Sequence, residues 1–213
     1  SETLPTLPGK YAVRFTTTDD NYTILQVVDY FEITKRKITV PTQSATEFEY
    51  TGNTVTSGIE GNAFYTVADA GAIDVQNGLI ATVTLNSEYY VWADGVETLA
   101  REYTYSIVKA NITITDPVIE GWTYGEEANA PTSTNNFGQV VSYVYATSLN
   151  GEYTANVPTN AGTYFVKAIA QGNDNLNYSE SKPVSFEIAK AEAFIEGAQE
   201  NYTADYSNSA YTI

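Results

Sequence analysis

Short stretches of alternating apolar and polar residues, broken by Gly, Asn, Asp and Pro, run the length of this chain. In Tyr164-Phe165-Val166-Lys167-Ala168 a side-chain period of two puts Tyr164, Val166 and Ala168 on one face, with Phe165 and Lys167 on the other. Tyr11-Ala12-Val13-Arg14-Phe15 has the same parity, so Tyr11, Val13, Tyr164 and Val166 are expected in the core. Val141, Tyr143 and Tyr145 make a second stripe. Phe186 with Ile188, Tyr105 with Ile107 and Phe31 with Ile33 make a third. Over Asn77–Leu85 the expected inward face is Leu79, Ala81, Val83 and Leu85; a slip of one residue would invert it. No stretch carries a helical period. The pattern predicts an all-β chain of short strands, reinforced by an abundance of Tyr, Thr and Val.

These phrases recur. Pro-Thr-x-x-Gly-x-Tyr occurs at Pro5–Tyr11 and again at Pro158–Tyr164. Each copy leads into an aromatic-x-Ile-x-Lys phrase, Phe31–Lys35 and Phe186–Lys190, and a third version lies at Tyr105–Lys109. Lys35 to Lys109 is 109 − 35 = 74 residues, and Lys109 to Lys190 is 190 − 109 = 81. The 74-residue step also carries Ile38 to Ile112, Val40 to Ile114 and Tyr50 to Tyr124, and the 81-residue step carries Ile114 to Ile195. Self-similarity at such a period predicts a modular array. The expected units are 1–36, the closing part of one repeat; 37–110 and 111–190, two complete repeats; and 191–213, the opening part of another. Lys109-Ala110 and Lys190-Ala191 leave no Gly/Ser- or Pro-rich linker at the junctions, which predicts a stiff string.

Composition narrows the chemistry. The 213 residues carry 26 acidic and 10 basic side chains, a formal charge of −16. Nucleic-acid binding, which needs Lys and Arg to displace counterions from phosphates, is not expected, nor is docking on anionic lipid. The absence of Cys removes thiolate and disulfide chemistry, and the absence of His removes the commonest general base near neutral pH. A Ser-His-Asp triad cannot be built. No apolar run approaches the roughly 20 residues of a membrane-spanning helix, so membrane insertion is not expected. No signal peptide or anchor is visible, as expected of an internal fragment.

Gly121-Trp122-Thr123-Tyr124-Gly125-Glu126, Asn129-Ala130-Pro131-Thr132, the Pro158–Tyr164 phrase, Asn177-Tyr178 and Phe186–Ala191 together resemble the bacterial Ig-like repeats of the Tyr-Gly-x type. Tyr89-Tyr90-Val91-Trp92-Ala93-Asp94-Gly95 looks like a diverged form of the same repeats. The resemblance spans nearly all of 111–190, is looser over 37–110 and partial at both ends. It implies tandem Ig-like β-sandwiches set end to end; β-grasp-like modules are the alternative, because the sequence gives strand count better than topology. It further implies an extracellular or wall-attached protein of a Gram-positive bacterium, and a non-enzymatic stalk or adhesin segment. No catalytic residue, metal or cofactor comes with it. The competing expectation is a module that binds a surface glycan or protein through exposed aromatics or loops.

Trp92 and Trp122 are the candidate ligand-binding residues, because an exposed indole stacks on sugar rings; buried, they are core. Asp19-Asp20-Asn21 and Asn173-Asp174-Asn175 offer hard oxygens of the kind that hold Ca²⁺, but lack the order of an EF-hand and read as turns. Lys109 and Lys190 share the parity of Ile107 and Ile188, yet fall at strand ends where they reach solvent. Glu126 and Glu127 are neighbours in sequence and would face opposite ways in a strand, so they do not make a glycosidase pair. Bare sheet edges are sticky, so the partial units at 1–36 and 191–213 are expected to pair with protein, including by strand exchange between copies.

Overall fold

The computed structural model describes residues 4–23 and 28–194. Among them the chain is all-β, in several sheets and without a helix. A β-grasp module needs a helix laid across its sheet, and that alternative finds no support here. By its contacts the chain divides into two compact units, Ser1–Ile112 with Gly172–Tyr178, and Thr113–Gln171 with Ser179–Ile213.

The first unit opens with a hairpin of β1 (Gly9–Arg14) and β2 (Val28–Ile33), in which Gly9 faces Ile33 and Tyr11 faces Phe31. β3 (Arg36–Ile38), β4 (Glu47–Glu49), β5 (Tyr65–Ala68), β6 (Gln76–Leu85), β7 (Tyr90–Trp92) and β8 (Ala100–Val108) follow. Four of them form a sheet in the order β4-β8-β6-β5, with β4 parallel to β8 and the other pairs antiparallel. β3 and β7 make a separate parallel pair. The main core cluster joins the two: Ile38 and Trp92 from the pair meet Tyr65, Val83 and Leu85 from the sheet. β9 (Ala110–Asn111) ends the segment.

The second unit holds β10 (Trp122–Thr123), β11 (Val141–Ala146) and β12 (Gly162–Ala170). The chain then contributes β13 (Leu176–Asn177) to the first unit, parallel to β9, and returns through β14 (Ser179–Glu180) to β15 (Val184–Ala189). The sheet runs β10-β15-β12-β11, β10 parallel to β15 and the rest antiparallel, with β14 pairing β12 off this path. Strand order and polarity repeat those of β4-β8-β6-β5. Phe48 faces Ile107 in one sheet where Trp122 faces Ile188 in the other. Within the second unit Trp122, Tyr145, Val166, Phe186 and Ile188 form one cluster.

Most of the expected inward faces point inward. Ala81, Val83, Leu85, Tyr105, Ile107, Tyr145, Val166, Ala168, Phe186 and Ile188 are buried, while Leu79, Val141 and Tyr143 are half-buried. Four of the expected core residues need correction. Val13 is 38 % exposed and Phe31 is 41 % exposed, and Tyr11 is only half-buried, because the β1–β2 face carries no second layer among the described residues. Tyr164 is half-buried at the rim of its cluster, where it meets Phe186 at 5.9 Å. The outer face is not bare either: Lys167 lies 2.9 Å from Glu180 and 4.7 Å from the centre of the Tyr153 ring. The opening strands expected at 191–213 lie outside the described residues, save for residues 191–194, which form no strand.

Gly121 explains why β10 can lie so close to β15. A Cβ built there would stand 2.3 Å from the Glu187 carbonyl oxygen, a backbone atom that has no room to yield. Gly121→Ala should therefore push β10 from its place and cost roughly 1–3 kcal/mol, as overpacking does. Urea unfolding checks this, and a midpoint equal to that of the parent chain would contradict the close approach.

Candidate functional site

The two tryptophans lead inward. β7 carries Trp92 opposite Ile38, with no exposed surface, and its indole N–H donates to the Thr98 carbonyl at 3.0 Å. Arg101 covers the ring at 5.2 Å and holds Asp94, with Nη2 2.6 Å from Oδ1. Trp122 is buried against Phe186, the rings stacked at 5.3 Å. Trp92 has no exposed face, and Trp122, 8 % exposed, reaches the surface only where it lines a groove.

The side chain that stays outside is Tyr124, two residues beyond Trp122 and 52 % exposed. It borders a groove of about 460 Å³ lined by Trp122, Glu126, Ala128, Val157 and Pro158. A tight turn shapes this rim. The Glu126 N–H donates to the Thr123 carbonyl at 2.9 Å, Gly125 takes the left-handed φ of +88° that the turn demands, and the Glu126 carboxylate accepts from the Thr123 N–H at 3.0 Å. Glu126 is thus occupied in the turn rather than paired with Glu127. The rim combines one aromatic face, two apolar walls and a carboxylate, which suits an extended peptide or a sugar ring.

Sequence reasoning passed over a half-buried polar cluster around Asp69. Its carboxylate accepts from the Tyr105 hydroxyl at 2.6 Å, the Ser57 N–H at 2.7 Å and the Gly71 N–H at 3.0 Å. Burial pulls the Asp69 carboxyl upward, but the bonds from Tyr105, Ser57 and Gly71 outweigh it and hold the group below the usual carboxylate range. Burial and the facing carboxylate push the Tyr105 phenol up to about 12. Through these bonds the cluster ties the turn after β5 to Tyr105 on β8 and to the segment at Ser57. It is structural.

The acidic-amide turns serve the same end. Asp19 Oδ1 accepts from the Asn21 N–H and side-chain amide, both at 2.9 Å, and Asn173 Oδ1 accepts from the N–H groups of Asn175 and Leu176. Asn175 then holds Asp74 at 2.8 Å and the Val75 N–H at 2.9 Å. Lys109 and Lys190 are exposed, and Lys109 donates to the Asn173 carbonyl at 2.6 Å. Among the described residues no group of three or more His, Cys, Asp or Glu side chains is gathered as metal ligands would be. No helix among them is long and apolar enough to cross a membrane.

No family model, curated protein or solved structure matches this chain.

Proposed function

We propose that the chain is a spacer or adhesive segment of an exported or wall-attached bacterial surface protein, built from tandem Ig-like units and without catalysis. The observation that carries this reading is the twice-used sheet, with the order β4-β8-β6-β5 answered by β10-β15-β12-β11 and the same single parallel pair in each. An opening strand parallel to the closing one, beside an antiparallel run, is the arrangement expected of one layer of an Ig-like sandwich. The tyrosine at the start of β12 adds to it: its hydroxyl donates to the Asn160 carbonyl at 3.0 Å, the corner of Ig-type domains, and Tyr11 does the same to Leu7 at 2.7 Å. A net charge of −16 suits a soluble, self-repelling surface chain.

The second reading, a glycan- or protein-binding module, is favoured by the Tyr124 groove alone. A glycan array probed with the whole chain separates the two. The spacer reading expects no reproducible signal. Micromolar binding that Tyr124→Ala abolishes, with the fold intact by circular dichroism, would replace it with the binding reading.

A further inference from the structure

Gly172–Tyr178 leaves the second unit after β12, joins the first unit and returns at β14. Its base is pinned in the second unit, where Ser179 faces Ala170 and Glu180 faces Ile169. Its neck is drawn tight, since a Cβ built on Gly172 would stand 2.8 Å from the Tyr178 nitrogen and 2.9 Å from the Leu176 carbonyl oxygen. Its tip is shaped from within. Asn173 Oδ1 accepts from the N–H groups of Asn175 at 2.8 Å and Leu176 at 2.9 Å, and the Asn173 N–H donates to the Leu176 carbonyl at 2.9 Å. The segment so formed meets the first unit at several points. Leu176, 2 % exposed, faces Ala110, and Asn177 faces Asn111, whose Oδ1 accepts from the Asn177 side-chain amide at 2.9 Å. The Asn175 side chain accepts from the Val75 N–H at 2.9 Å and donates to the Asp74 carboxylate at 2.8 Å. The Ala110 N–H donates to the Asn175 carbonyl at 3.1 Å, and the Lys109 ammonium to the Asn173 carbonyl at 2.6 Å.

We propose that Gly172–Tyr178 is a clamp through which the folded second unit stabilises the first. The basis is the entropy of ordering a loop. A free segment loses backbone and side-chain freedom when it makes such contacts. Here β12 and β14 fix both ends and the Asn173 bonds set the tip, so most of that cost falls on the second unit's own folding. When the second unit unfolds, the ends are released and an open chain must make the same contacts. Asp74, the Val75 N–H and the Ala110 N–H then lose partners that were held in place, and Leu176 leaves its buried position. Unfolding of one unit is thereby felt by the other with no hinge or bound ligand involved. The second unit keeps a core of its own in Trp122, Tyr145, Val166, Phe186 and Ile188, so it outlasts the loss of the first. The proposal stands on these contacts and on chain connectivity, and is independent of the spacer role.

Hydrogen exchange of the whole chain, read by mass spectrometry at β6 and β8 for the first unit and at β11 and β12 for the second, tests this. Asn175→Ala combined with Leu176→Ala severs the clamp, and exchange in β6 and β8 should rise at least tenfold. Val166→Asp puts a carboxylate into a fully enclosed position and unfolds the second unit, which loss of protection in β11 and β12 verifies. With the clamp intact, Val166→Asp should also raise exchange in β6 and β8 at least tenfold, although no clamp residue has changed. In the severed chain it should expose β11 and β12 and leave β6 and β8 as they were, the non-additivity that marks a coupling rather than a local packing role. Asn175→Ala alone, which spares the buried leucine, is the severed background if the double variant does not fold, and Phe186→Asp replaces Val166→Asp if β11 stays protected. Unchanged exchange in β6 and β8 on severing the clamp overturns the proposal. So does unchanged exchange there when the second unit unfolds, or an equal rise with and without the clamp.

Discussion

Trp92→Ala is expected to destabilise the first unit by about 3–5 kcal/mol, the range for a large aromatic removed from a core. The ring is fully enclosed and touches both layers: Ile38 beside it on β3, and Tyr65, Val83 and Leu85 on the sheet, with Tyr65 at 5.9 Å. Alanine would leave a cavity between elements whose main shared cluster is this one. It would also strip the Thr98 carbonyl of its donor and Arg101 of the face it covers. Trp92→Phe keeps much of the volume and loses the donor, so its cost should be well below that of alanine. Tyr124→Ala, on the exposed rim, should stay within about 0.5 kcal/mol, as typical surface changes do. Each unit contains one tryptophan, so the measurement separates them. In Trp92→Ala the remaining fluorescence reports the second unit, while circular dichroism reports both. An early dichroic transition with Trp122 fluorescence still native is the expected result in urea. A loss under about 1 kcal/mol would mean the indole is not the centre of that core.

Burial on one side of a strand is what a period of two encodes, and there the sequence was legible. Ala81, Val83 and Leu85 lie on the face assigned to them, as do Val166 and Ala168. Parity, however, says which way a side chain points and not whether anything waits there. Val13 and Phe31 point as Val166 and Phe186 do, yet remain open, since a covering layer comes from residues distant in sequence. The parallel pairs were hidden for the same reason. β4 and β10 are three and two residues long, too short to show a period, and each pairs with a strand more than fifty residues away. The transfer of Gly172–Tyr178 into the first unit was equally unreadable, because the Asn-rich stretch looks like an ordinary turn. Only Leu176, apolar inside that turn and buried, hints at a docking role. The site residues suffered most. Trp92 and Trp122 were singled out for chemistry that needs exposure, and burial cannot be read from a residue type that serves cores and binding faces alike.

Asp69 went unnoticed because Ala68-Asp69-Ala70-Gly71 reads as the end of a strand and a turn, and its partners, Tyr105 and Ser57, lie 36 and 12 residues away. Its bonds set a dependence on pH that can be measured. Asp69 gives up its proton more readily folded than unfolded. The unfolded chain therefore binds more protons in mild acid, and the stabilisation is whole above the ordinary carboxyl range near pH 4 and is lost as pH falls below it. Tyr105 is the mirror case. With its phenol at about 12 in the folded chain against 10.0 ordinarily, its contribution is whole below pH 10 and is lost as pH rises from there towards 12. Tyr105→Phe removes one hydrogen bond to a charged group, so it should cost about 1.5–3 kcal/mol at neutral pH. Asp69→Ala should cost more, since it leaves the Ser57 N–H and the Tyr105 hydroxyl, both in fully enclosed residues, without an acceptor. The distinguishing result is a difference between curves, because other tyrosines also titrate in alkali. The gap between parent and Tyr105→Phe should narrow between pH 10 and 12, and the gap between parent and Asp69→Asn should narrow below pH 4. Urea unfolding across that range decides it: gaps that hold constant from pH 3 to 11 would mean the cluster does not carry charge in the way its geometry requires.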